Sequence, residues 1–129
     1  MTDPTVSRRL DLVLVLLLIA GILIVFAQVR RQDFVSYDDP VYVSENQYVA
    51  AGLSSAGVKW AFSAPRLANY QPITLLSYML DVTLFGMNPG AMKLVNLALH
   101  TANTLLIYWV LRRITGAYWR SALVAALFA

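Results

Sequence analysis

The chain has 129 residues, of which 59% are apolar and only 13% are Asp, Glu, Lys or Arg, with a net charge of +3. An average soluble domain is roughly 45–50% apolar and about 25% charged, so the balance points to lipid and excludes a disordered chain. The absence of Cys excludes a disulfide scaffold, a Cys-based zinc site and a thiol nucleophile. A single His excludes a multi-histidine metal site, and basic residues in short pairs at the ends of apolar runs do not make a nucleic-acid face.

Residues 1–11 are polar, end in Arg8, Arg9 and Asp11, and read as a cytoplasmic N-terminus. Residues 12–29, LVLVLLLIAGILIVFAQV, carry no charge and are closed by Arg30 and Arg31. A bilayer core about 30 Å thick needs around 20 helical residues, so this run predicts a first transmembrane helix. A signal peptide is the competing reading, but its apolar region is usually about 7–15 residues, and Val29-Arg30-Arg31 is a poor cleavage site.

Residues 30–93 read as a long extracytoplasmic loop containing amphipathic helices. From Arg31 to Val49 the residues favour strands and turns, and Asp39-Pro40 marks a turn. A helix is predicted from Leu53-Ser54 to Phe62, with Ser54 and Ser55 as caps, Val58, Ala61 and Phe62 on one face, and Pro65 at its end. A second is predicted over Pro72 to Phe85. Pro72 lies in its first turn, Ile73, Leu76, Leu80 and Leu84 make an apolar stripe, and Gly86 terminates it. Both helices are expected at the membrane surface or against further membrane helices.

Residues 94–111, LVNLALHTANTLLIYWVL, predict a second transmembrane helix between Lys93 and Arg112-Arg113. Asn96, His100 and Asn103 share one face, and polar groups in a membrane helix face other helices or a wet cavity. Residues 112–120, with three Arg and no acid, read as a cytoplasmic loop. Residues 121–129 read as the truncated start of a third transmembrane helix. The chain is therefore expected to be a fragment of a longer polytopic protein. The predicted class is an all-α membrane protein: two transmembrane helices, the start of a third, and an ordered extracytoplasmic loop.

One constellation carries chemistry: Tyr37-Asp38-Asp39-Pro40, just beyond the first span. Two neighbouring carboxylates there can solvate a turn, bind a cation, or provide a general base for an incoming hydroxyl.

Four stretches, FVSYDDPVYVSEN, GVKWAF, NYQPITLLSYMLDVTLFGMNPG and KLVNLALHTANTLLIYWVLRRITG, occur in this order between and within the two spans. Together they resemble the start of the GT-C type polytopic glycosyltransferases that carry tetratricopeptide repeats. That family includes the transmembrane and tetratricopeptide-repeat O-mannosyltransferases and their bacterial relatives. The resemblance covers about Asp33 to Ala129. It implies that Asp38 is the catalytic base and that Asp39 orients the acceptor or tunes its neighbour. It implies a polyprenyl- or dolichyl-phosphate sugar as donor, an acceptor hydroxyl as nucleophile, inversion at the anomeric carbon, and no cofactor, although the acid pair is also suited to a divalent cation.

The departing lipid phosphate needs cationic stabilisation, for which Arg66 and Lys93 are the candidates, each against an ordinary surface or interfacial role. Relatives often have aromatic-His-Pro or aromatic-Arg-Pro where this chain has Tyr70-Gln71-Pro72, and His where it has Met92-Lys93. Gln71 donates hydrogen bonds but cannot transfer a proton at neutral pH. Asn69, Thr74, Asp81 and Asn96 match the pattern better, with Asp81 read first as a hydrogen-bonded structural acid. His100 matches the family's Leu-His and is either a packing element or a proton or substrate contact.

The expected partners are the bilayer, the lipid-linked donor and the parent's remaining helices, with no nucleic acid, in a multi-pass protein of the bacterial inner membrane. The fragment alone is expected to be inactive. Two other classes compete. A non-catalytic anchor or assembly subunit predicts an exposed, unpartnered Asp38. A transporter or flippase fragment predicts that Asn96, His100 and Asn103 line a path.

Overall fold

The computed structural model describes residues 4–63 and 69–129, and among these every regular element is helical. Six α-helices follow in order: α1 (Pro4–Phe26), α2 (Gln47–Ala50), α3 (Ser55–Ser63), α4 (Pro72–Phe85), α5 (Pro89–Thr115) and α6 (Tyr118–Phe128). A 3-10 turn, Ala27–Arg31, continues α1, and a π-helical turn, Pro40–Ser44, precedes α2. Two stretches are long and apolar enough to cross a membrane, Ser7–Arg31 and Pro89–Thr115. Both begin before the spans expected at residues 12–29 and 94–111, because helical hydrogen bonding continues into polar flanks that hydropathy excludes. The chain divides into two compact units, one of residues 1–28 and 96–129, the other of residues 29–95.

In the unit of residues 29–95, the strand preference of residues 31–49 is overridden. Tyr42, Val43 and Val49 are buried from helical turns, alongside Ala61, Leu75, Met79 and Met92. Asn46 makes the entry to α2. Its Oδ1 accepts from the N–H groups of Tyr48 and Val49 at 3.1 and 3.3 Å, and its Nδ2 donates to the Val41 carbonyl at 3.2 Å. A side chain that satisfies three main-chain groups holds a turn that β-prone neighbours would otherwise extend. Tyr48 and Trp60 stack with ring centroids 4.6 Å apart.

Ser54 caps α3 as expected, accepting from the Gly57 N–H at 3.1 Å. The inward residues of α3 are Gly57 and Ala61, whereas Phe62 is exposed. Pro65 lies outside the described residues. Helix α4 has the expected limits, with Pro72 in the first turn and Gly86, at φ +68° and ψ −168°, ending it in a positive-φ conformation essentially confined to glycine. Its buried face differs from the expected stripe. Leu75, Met79 and Asp81 are buried, while Ile73, Leu80 and Leu84 are exposed. Two apolar stripes compete on this helix, and α2 and α3 pack against the one carrying Met79. At the start of α5 the chain passes so close to Arg30 that a Cβ on Gly90 would meet the Arg30 carbonyl oxygen at 2.3 Å. Only a glycine permits that approach.

In the other unit, α1 and α6 pack together, and Leu14, Leu18, Tyr108, Ala122 and Ala125 are buried. The buried residues of α6, Ser121, Ala122 and Ala125, are all small, which allows the helices to approach closely. Thr104, fully buried on α5, donates to the His100 carbonyl one turn back. Asp11 accepts hydrogen bonds from Tyr108 Oη and from Arg112 Nε, the latter at 3.3 Å. Tyr118 meets Ser7 through their hydroxyls and lies under the Arg112 guanidinium, 3.4 Å from ring centroid to Cζ. These bonds join the start of α1 to the end of α5 and the start of α6.

Candidate functional site

The acid pair lies in the unit of residues 29–95, with Asp38 ending the turn of residues 36–38 and Asp39 directly before Pro40. The two carboxylates have different surroundings. Asp39 is half-buried, and its Oδ2 accepts the Val35 N–H at 2.7 Å, closing the turn on itself. Asp38 is exposed, and its side chain has no hydrogen-bond partner among the described residues. Its main-chain carbonyl accepts from the Tyr42 N–H, so the backbone beneath it is held although the side chain is free.

Lys93 holds the other end of this segment. Its Nζ donates to the main-chain carbonyl of Asp33. The ammonium that the sequence offers to a phosphate is therefore already engaged by the chain. Arg66, the other candidate cation, lies outside the described residues. Tyr70 is exposed, with its hydroxyl 3.5 Å from the Phe62 carbonyl. Gln71 stands at the N-cap of α4 without a side-chain capping bond, and its carbonyl accepts from Leu75.

His100 belongs to the other unit. Its Nε2 is 3.1 Å from the Ala129 carbonyl, and its ring stacks on Phe128 and meets Phe26 edge-on. These contacts join His100 on α5 to α1 and to the end of α6. Asn96 and Asn103, on the face that the sequence groups with His100, are exposed.

Two groups on α4 have shifted protonation, and one of them, Tyr78, feels the charge of Asp39. Burial, followed by the nearby charges of Asp39 and Asp81, raises the Tyr78 phenol above its ordinary value. Tyr78 is therefore neutral at physiological pH. Asp81 is 3% exposed, and burial raises its carboxyl above the ordinary value. Its Oδ2 and the Tyr42 hydroxyl are buried without hydrogen-bond partners among the described residues. The hydrogen-bonded structural acid that the sequence suggests is thus replaced by an unpartnered one. Among the described residues no three His, Asp or Glu side chains gather as metal ligands would.

The Asp81 shift has a consequence for stability. A carboxyl that binds its proton more tightly folded than unfolded destabilises the fold once it must ionise. That penalty is absent below the unfolded carboxylate value, grows as pH rises from there towards the raised folded value, and is constant above it. Asp81→Asn removes the ionisation, so it is expected to melt above wild type at neutral pH, with the gap closing towards pH 4. Paired melting curves across that range check this, and a gap independent of pH rejects it.

Tyr78, like Asp11, Tyr108 and Arg112, has no motif around it. Only proximity to charge on another element distinguishes it. Comparison with family models, with curated proteins and with solved structures returns no match.

Proposed function

We propose that the chain is part of a membrane glycosyltransferase that moves a sugar from a polyprenyl- or dolichyl-phosphate donor to an acceptor hydroxyl outside the cytoplasm. The reading rests on the family resemblance, and the division of labour in the acid pair is compatible with it, although an exposed, unpartnered Asp38 is also what a non-catalytic anchor predicts. Asp39 is committed to its own turn, and Asp38 presents an uncommitted carboxylate on backbone held in place beside it. A base needs a free acceptor within reach of the incoming proton and a scaffold that fixes its position. The family resemblance assigns the base to the same residue.

Placement in a bilayer is part of the proposal. Little of either long apolar stretch is covered by the chain, and side chains such as Leu17, Ile24, Leu99 and Leu106 are exposed. The core helix of a soluble domain would bury them. The arginines Arg8, Arg9, Arg112, Arg113 and Arg120 favour a cytoplasmic position for the start of α1 and the end of α5, which sets residues 29–95 outside. Two spans do not enclose a lipid-linked donor, so catalysis requires the remaining helices of the parent protein, and these residues alone are inactive.

A second reading draws on the same exposure of Asp38: a non-catalytic anchor, in which the acid pair is a solvated turn. The assay that separates them supplies membranes containing the whole protein with the same sugar on a polyprenyl phosphate or on a nucleotide. Transfer from the lipid-linked donor alone is expected. Transfer from neither donor rejects the enzyme in favour of the anchor.

A further inference from the structure

The end of the three-helix unit where α1 begins, α5 ends and α6 begins carries Arg8, Arg9, Arg112, Arg113 and Arg120. Asp11 is the one acid among the unit's described residues. Arg112 is immobilised at two places, by Nε on Asp11 and by its plane on the Tyr118 ring. Its terminal nitrogens have no partner among the described residues. The other four arginines are exposed. A guanidinium held by its inner edge, with its outer nitrogens free, is prepared for phosphate oxygens.

Trp119, next in the chain to Tyr118, stands over an apolar cavity of about 300 Å³ between α1 and α6. A second cavity, of about 360 Å³, shares Leu17, Leu18 and Ala126 with the first and reaches Phe26. Together they make one apolar furrow, lined at one end by Trp119, the chain neighbour of Arg120. From Leu14 to Phe26 it follows roughly 18 Å of helix, at about 1.5 Å per residue. That is close to the depth of one leaflet of a core about 30 Å thick.

The occupant must be apolar along this length and anionic only at the Trp119 end. We propose that this is a binding site for one anionic phospholipid, with its phosphate on the arginine cluster and an acyl chain in the furrow. Charge selects the headgroup, since five arginines against one acid among the described residues would repel a cationic partner. A helix of the parent or of a second copy would satisfy the furrow but not the arginines. The proposal rests on the bilayer placement of the unit and is independent of the transferase reading.

The test uses the full chain in detergent, titrated with phosphatidylglycerol, with phosphatidylcholine of the same chains, and with inorganic phosphate. Bound lipid is read by native mass spectrometry and stabilisation by melting. Arg113→Gln and Arg120→Gln probe the headgroup end without touching the Asp11 contact. Gly21→Phe and Leu17→Trp obstruct the furrow. A Cβ on Gly21 meets nothing within 4 Å, and Leu17 is 60% exposed, so both are compatible with the fold.

Phosphatidylglycerol is expected to bind at least fivefold more tightly than phosphatidylcholine, with about fivefold lost per arginine removed. Either furrow variant is expected to weaken it without lowering helix content. Equal binding of the two lipids overturns the proposal. Equal stabilisation by inorganic phosphate reduces the site to a free-anion site and overturns it. Unchanged phosphatidylglycerol binding in both furrow variants, or a change of oligomeric state in its place, assigns the furrow to another occupant and likewise overturns it.

Discussion

Asp38→Asn in the whole protein is expected to lose about 10²–10⁴-fold of sugar transfer at unchanged membrane level and melting temperature. The side chain is exposed and makes no hydrogen bond among the described residues, so its removal costs the fold nothing. An amide of the same shape keeps the volume and loses the negative charge and with it the ability to take a proton.

Asp39→Asn is expected to behave differently. Its amide oxygen can still accept the Val35 N–H, so transfer falls modestly. Asp39→Ala opens the turn and loses about 1–2 kcal/mol with it. The pair of variants therefore separates a base from the residue that positions it. Transfer measured from the lipid-linked donor decides the matter. Full activity in Asp38→Asn removes this residue as the base, whereas equal loss in Asp38→Asn and Asp39→Asn argues for a shared charge and against separate roles.

Arg112→Ala is expected to cost the three-helix unit about 3–5 kcal/mol. The Arg112 and Asp11 side chains are 17% and 14% exposed. Removing the guanidinium leaves a largely buried carboxylate with the Tyr108 hydroxyl alone, and it removes the cation from the face of Tyr118. Asp11→Asn costs less, because Tyr108 can still donate to the amide oxygen. The neutral double variant, Asp11→Asn with Arg112→Gln, is expected to recover most of the loss, because no unpaired charge remains. A double-mutant cycle read by tryptophan fluorescence during unfolding in detergent measures the coupling. Additive effects of the two single changes reject it.

Much of the architecture is legible without coordinates. The uncharged run after Leu12 and the apolar run after Lys93 show as helices because a continuous hydrocarbon surface needs no knowledge of its neighbours. Helix α4 is readable to the residue because its limits are local: Pro72 tolerates a first turn and Gly86 accepts a positive-φ backbone. Ser54 is readable as a cap for the same reason.

The loop interior was not legible. Val41, Tyr42 and Val43 favour strands, yet Asn46 satisfies three main-chain groups around them and α4 offers a surface to bury them. Helix α4 carries two stripes, and Ile73, Leu80 and Leu84 give the more regular one. Which stripe packs depends on what α2 and α3 present, and no period in α4 itself contains that information.

The candidate site divides in the same way. Tyr37-Asp38-Asp39-Pro40 stands out in the sequence because adjacent carboxylates beside a long apolar run are chemically conspicuous. The difference between the two acids is tertiary, as is the engagement of Lys93 by the Asp33 carbonyl. His100 draws attention as the single histidine, and its contacts with Phe26, Phe128 and the Ala129 carbonyl come from distant parts of the chain. Asp81 gains its meaning from burial, and Tyr78 from burial and from the charge of Asp39 on another element.

By itself the sequence determined the helical character, the two long apolar stretches and the acid pair, because each depends on residues adjacent in the chain or one turn apart. Only the tertiary structure decided which carboxylate is free, which face of α4 is buried and which arginine is clamped. Those outcomes depend on where a hydrogen-bond partner or an apolar surface arrives from a distant part of the chain. Asp11 and Arg112 are 101 residues apart, and no local pattern joins them.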